Sequence, residues 1–202
     1  MQTTLWDRHS NCLIEAVIKH AEDLTIDDIE KTGALWSNIH LMFSEKFEEL
    51  GMDLPDHSHW SWMKKVRHYF PKLGYRFVSI ECEGIIQGLM LCDNLTTSPV
   101  SQNDRGEPRR VSYIEYLEAA PWNLWDYSNN PRFGAIGTRL LAFMALDVWD
   151  SDRLIGLHSL PHAVPFYLKH GFIDYGPDLG RQDQLSYMEL SEKEIESLLK
   201  KL

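Results

Sequence analysis

The stretch PRFGAIGTRLL, Pro131 to Leu141, runs a glycine-containing turn directly into an amphipathic helix. The first N–H groups of a helix lack intrahelical acceptors and carry partial positive charge, so such a junction can hold an anion if no side chain blocks the approach. Gly134 and Gly137 are read as keeping that approach open. A β-branched and aromatic run, Val111 to Leu117, lies upstream, and Ala142, Phe143, Leu146, Val148 and Trp149 continue an apolar helical face downstream. The unit reads as strand, loop, phosphate-binding turn, helix. Two glycines at a helix start are also found in plain tight turns, so the elements that follow decide between the readings.

Those elements are a short buried strand, Arg153 to Leu160 (RLIGLHSL), and then HAVPFYLKHGF, His162 to Phe172, a helix stopped by glycine and followed by another strand. In order and in residues this resembles the GNAT superfamily of acyl-CoA-dependent N-acyltransferases, over roughly Tyr75 to Leu190. The family's pyrophosphate motif, R/Q-x-x-G-x-G/A, aligns with Arg132, Phe133, Gly134, Ala135, Ile136 and Gly137. Its A-x-x-F-Y-x-x-x-G-F signature is matched by Ala163, Phe166, Tyr167, Gly171 and Phe172. Ala135 replaces the first motif glycine, which main-chain binding of pyrophosphate tolerates provided the position does not require φ > 0.

The resemblance implies an α/β (α+β) fold with a mixed, centrally splayed sheet flanked by helices, and acyl-CoA lying in the splay. The pantetheine arm is expected along the main chain of Leu117, Glu118 and Ala119. The pyrophosphate is expected on the amides from Phe133 to Thr138, with Arg132 adding charge and Thr138 a hydroxyl. A solvated surface role for Arg132 stands equally open. The implied activity is transfer of acetyl, from acetyl-CoA or another acyl-CoA, to a primary amine of a small molecule or protein by direct attack. A free alkylammonium is almost fully protonated at neutral pH, so a base is needed. Glu115, Glu118 and His158 are the candidates, with Glu118 preferred for its place beside the cofactor contact; both glutamates also fit a solvated face or an ion pair with Arg109 or Arg110. On a regular strand the two cannot face one cleft unless a bulge intervenes. In the family the F-Y tyrosine sits near the thioester sulfur, which makes Tyr167 the candidate acid for the leaving thiolate; the alternative is a core aromatic. His158 is read as a satisfied core histidine. Trp122 and Asn123 are candidates for shaping the acceptor site. An alternative function is a noncatalytic GNAT-like module that binds acyl-CoA or a protein partner.

The rest of the chain is read as one domain of 202 residues. Residues 1–72 are expected to be a helical N-terminal part. In it, Leu13, Val17 and Ala21 mark a first helix, Thr25 caps a long second one carrying Ile29, Leu35, Trp36, Ile39, Met42, Phe43 and Phe47 and ended by Gly51, and His57 to Phe70 forms a third. Residues 75–190 are the acyl-CoA-binding core and 191–202 a capped C-terminal helix. Tyr75 to Ile80 and Ile85 to Cys92 read as a hairpin about Glu83-Gly84, and Asn94 to Arg110 as a long polar loop.

The net charge of −10 argues against broad nucleic-acid binding. No stretch of about 18 apolar residues suggests membrane insertion, and the start, MQTTLWDRHSN, is not a targeting segment. Cys12, Cys82 and Cys92 follow no disulfide or metal spacing and fit a reducing, cytoplasmic compartment. Of the histidines, only His57 and His59 stand close together, and i, i+2 positions on a helix diverge by about 200°, so no metal is expected. GNAT enzymes are often homodimers, and nothing in the sequence fixes the oligomeric state.

Overall fold

The computed structural model describes residues 1–149, 151, 153–190 and 192–200. Among these, ten strands and five α-helices form one mixed sheet with helices on both faces.

The chain opens with a hairpin, β1 (Gln2–Asp7) and β2 (Cys12–His20), paired from Gln2 with Val17 to Asp7 with Cys12. This corrects the helix expected over Cys12 to Ala21. The spacing of Leu13 and Val17 suits a helix, but Ile14, Ala16 and Ile18 alternate with period two, and it is Ala16 and Ile18 that are buried, while Leu13 is exposed. β-branched residues settle such a tie toward the strand.

α1 (Ile26–Leu50) begins and ends as its sequence predicts. The Thr25 hydroxyl accepts from the Asp28 amide while the Asp28 carboxylate accepts from the Thr25 amide, and Gly51 closes the helix at φ 62°. Its buried stripe is Ile29, Gly33, Trp36 and His40, so Leu35 and Met42, expected inside, face out. A side chain at Gly33 would come 2.9 Å from Trp62 Cβ, so this glycine lets α1 cross closely over α2 (Trp62–Tyr69). The third expected helix is therefore shorter than His57 to Phe70; Ser61 caps it and the preceding residues turn.

β3 (Tyr75–Cys82) and β4 (Ile85–Asp93) form the expected hairpin, with positive φ at both Glu83 and Gly84. The segment expected as a polar loop folds instead: β5 (Thr97–Gln102) pairs back on β6 (Pro108–Ala119), with Gly106 at φ 76° in the turn. The arm docks through Ser101 on Glu189 and Arg109 on Glu192.

A two-residue strand, β7 (Phe133–Gly134), leads into α3 (Ile136–Val148), followed by β8 (Leu154–Ser159), α4 (Val164–Lys169), β9 (Phe172–Pro177), β10 (Ser186–Leu190) and α5 (Glu192–Leu199). The expected cap of α5, Ser191, lies outside the described residues. Strand order is β7-β1-β2-β3-β4-β6-β8-β10-β9, and β6 with β8 is a parallel pair among antiparallel ones. One apolar core lies under α3 and α5, centred on Leu140, Leu141 and Met144; a second lies under α1 and α2, around Trp36, Trp62 and Leu89; and a small third joins Val111, Tyr113, Leu154 and Tyr187.

Candidate active site in the splay between two strands

β6 and β8 pair only from Val111 with Leu154 to Ile114 with Leu157. Beyond that point β6 continues to Ala119, and its edge toward β8 has no strand partner among the described residues. Opposite β4, the register slips between Leu91–Tyr116 and Cys92–Ile114, leaving Glu115 as an extra, bulged residue. The strands part there, and a cavity of about 280 Å³ opens between Trp60, Tyr113, Glu115, Tyr116, His158 and Tyr167, among others.

The bulge decides between the two glutamates. Glu115 lines the cavity, and burial, with help from Asp93, raises its carboxyl above the usual range. Glu118 does not line it. It is buried under α1 and α2, where its Oε2 accepts from Trp62 Nε1 at 2.6 Å. The preference for Glu118 as the base is thus corrected: of the two carboxylates, the one beside the cavity is Glu115. Neither pairs with Arg109 or Arg110 in an ion pair among the described residues.

Tyr167, on α4, is 7% exposed and lines the cavity. Its hydroxyl makes no hydrogen bond among the described residues, and burial raises its pKa, so it stays protonated. His158 is satisfied as expected: Tyr113 Oη lies 2.6 Å from its Nδ1 and Asp178 Oδ2 3.1 Å from its Nε2.

The turn before α3 differs in detail from expectation. Ala135 is exposed and sits at φ 65°, ψ 9°, the left-handed conformation in which the motif's glycine is free of strain. The Phe133 amide is already used, donating to Asn123 Oδ1 at 2.9 Å, so it is removed from the expected anion donors. Ile136, Gly137 and Thr138 form the first helical turn, whose amides have no intrahelical acceptor. The glycines serve packing more than access. A Cβ on Gly137 would meet Phe166 Cζ at 2.9 Å, and one on Gly134 would meet Arg8 at 3.2 Å. Arg8, in the turn between β1 and β2, itself donates to the carbonyls of Pro131 and Phe133 and braces the turn before α3.

Arg132 stays partly exposed but is not free. It donates to both oxygens of Glu83, at 2.6 and 2.8 Å, and to Asp7 at 3.1 Å. Thr138 Oγ1 lies 2.9 Å from His170 Nε2 and His170 Nδ1 2.7 Å from the Phe166 carbonyl, so with a neutral imidazole Nδ1 donates to the carbonyl and the hydroxyl donates to Nε2. Trp122 and Asn123, expected near the acceptor, both donate to Gln87 Oε1 and so hold the loop that leads to the turn. His40 and Arg181 were not among the expected site residues: the carboxylate that meets His40, Glu118, comes from a remote element, and Arg181 pairs locally with Asp183 while lining the cavity.

No family model matches the chain, and no curated protein matches it. Solved structures do. A protein of unassigned function from Bacillus halodurans superposes with TM-score 0.59 at 16% identity, over 100% of this chain and 98% of its own. A bacterial toxin gives 0.54 at 15%, over 92% and 95%. A GNAT-family acetyltransferase from Listeria monocytogenes gives 0.52 at 12%, over 93% and 98%. The chain shares the fold of these structures, a GNAT-family acetyltransferase among them, which is the fold the two motifs imply. Among the described residues no helix is long and apolar enough to cross a membrane.

Proposed function

We propose that the protein is an N-acetyltransferase that carries acetyl from acetyl-CoA, or another acyl-CoA, to a primary amine of a small molecule or protein in a cytoplasmic setting. The observation that carries the reading is the end of the β6–β8 ladder at Ile114 and Leu157, which leaves an open main-chain edge running toward the uncapped first turn of α3. The pantetheine amides would pair with the edge at Leu117, Glu118 and Ala119, and the pyrophosphate would rest on the amides of Ile136, Gly137 and Thr138.

Glu115 would take a proton from the acceptor ammonium. The neutral nitrogen then attacks the thioester carbonyl to form the C–N bond, the C–S bond breaks, the Tyr167 hydroxyl hands its proton to the sulfur as charge develops there, and the surplus proton on the new amide nitrogen restores the tyrosine hydroxyl. Trp60, Tyr113 and Tyr116 would wall the acceptor.

Thermal unfolding with acetyl-CoA, CoA and ADP tests the cofactor site, since a ligand at about 100 times its Kd adds about 2.7 kcal/mol. Thiol release across a panel of amines tests the reaction. The strained Ala135 and the committed Arg132 favour a second reading, a noncatalytic acyl-CoA-binding module, which predicts stabilisation by CoA without thiol release. Absence of stabilisation by any CoA species, with calorimetry agreeing, would remove both.

A further inference from the structure

Behind the aromatic wall of the cleft, three side chains from three separate elements converge: His40 from the buried stripe of α1, His57 from the turn before α2, and Glu118 from β6. One ligand-type atom from each lies within 4.8 Å of the other two. His40 and Glu118 are each 4% exposed. Both ring nitrogens of His40, His57 Nε2, Glu118 Oε1 and the neighbouring Tyr127 hydroxyl have no hydrogen-bond partner among the described residues. Buried polar atoms left unpartnered where these three side chains meet are costly unless something fills the place.

The closest contact indicates what kind of occupant fits. His40 Nε2 and Glu118 Oε1 are 3.2 Å apart but not aligned as a hydrogen bond. Two ligands of one tetrahedral ion, each about 2.0–2.1 Å from it, stand about 3.3 Å from one another. The carboxylate is also oriented as a ligating one would be: Trp62 Nε1 holds Oε2 and leaves Oε1 free. Lys65, the nearby cation, places its ammonium 3.8 Å over the Tyr116 ring rather than in an ion pair with Glu118. Two imidazoles and one carboxylate make a donor set of the zinc type, with a position left for water.

We infer that His40, His57 and Glu118 bind one divalent transition-metal ion of the zinc class. The ion ties α1 and the turn before α2 to β6. His57 packs 6.0 Å from Trp60, and Trp60 packs 5.0 Å from Tyr116, so the ion fixes the wall of the cleft rather than touching the reacting atoms.

The test is titration of the chelator-treated full chain with Zn2+ by calorimetry, and with Co2+ by visible absorption, in the wild type, His57→Ala and Glu118→Gln. His57 is half-buried, and glutamine still offers Trp62 an acceptor, so both variants are suited to fold; circular dichroism checks that they do. One ion per chain, d–d bands on Co2+ binding, and affinity at least tenfold weaker in each variant are expected. No stoichiometric binding by the wild type, or a folded variant that binds as tightly as the wild type, overturns the assignment and leaves water as the occupant. Acyl-CoA is absent from these titrations, so they stand or fall independently of the proposed activity.

Discussion

The guanidinium of Arg132 closes on Glu83 through two bonds and reaches Asp7 with a third contact, tying the phosphate turn to the β3–β4 hairpin and to β1. Burial alone would raise the Asp7 carboxyl, but the amides of His9 and Ser10 and the Arg132 guanidinium outweigh it and hold it at about 2. The stability this supplies is present above the ordinary carboxylate range and is lost as pH falls toward 2. Arg132→Ala is therefore expected to lower Tm near neutral pH, with the deficit shrinking in acid, and to change acetyl-CoA affinity less than tenfold. A drop in affinity of a hundredfold or more at unchanged Tm would make Arg132 a direct phosphate ligand.

Ala135 and Gly137 respond in opposite senses to a methyl group. A left-handed alanine costs about 1–2 kcal/mol, partly offset in glycine by a more flexible unfolded chain. Ala135→Gly should therefore leave stability unchanged or raise it by up to about 1 kcal/mol, and should not weaken acetyl-CoA binding. Gly137→Ala drives a Cβ to 2.9 Å from the Phe166 ring and should cost about 1–3 kcal/mol. Urea unfolding of the two variants measures both.

Tyr167→Phe removes a hydroxyl that is buried at the cavity and has no hydrogen-bond partner among the described residues. Stability should hold or rise slightly. Turnover should fall by about 10²-fold or more, the lower range for a proton donor, while the acetyl-CoA shift in Tm persists. Single-turnover kinetics set against calorimetry separate the two effects, and full turnover in this variant would leave Tyr167 a core aromatic.

Glu115 has a carboxyl raised by burial in the native state. A group raised on folding favours the fold below its unfolded pKa and loses that contribution as pH rises through the folded value. Glu115→Gln should accordingly be more stable than the wild type at pH 7, with the difference fading as pH falls from the raised value to the usual carboxylate range and gone below it, and it should turn over amine more slowly. Greater stability with lower activity is the combined signature, read from Tm against pH and from kcat.

Much of this fold could be read from local chemistry. Thr25 with Asp28 marks the start of α1, Glu83-Gly84 marks the hairpin, and the two motifs place α3 and α4. The errors came where local patterns are degenerate or where pairing is remote. Nine residues from Cys12 to His20 fit both periods until β1 pairs with them. The choice between Glu115 and Glu118 turned on a bulge set by register against β4, which no spacing within β6 reveals. The conformation at Ala135 was stated as a condition, and the structure meets it unfavourably. His40 looked like one more residue on a helix because Glu118 and His57 reach it from elsewhere in the chain.

The pairing of β1 with β7 has a kinetic consequence. Trp6 and Asp7 meet Gly134 and Phe133 across most of the length of the domain, and contacts of such sequence separation form late because the intervening chain must first be ordered. The turn that would grip the pyrophosphate is thus a seam sewn shut near the end of folding. Amide exchange at Arg8, whose N–H donates to the Arg132 carbonyl across the seam at 2.8 Å, should report its opening, and an anion bridging the seam to α3 would slow that exchange without adding a contact anywhere else in the sheet.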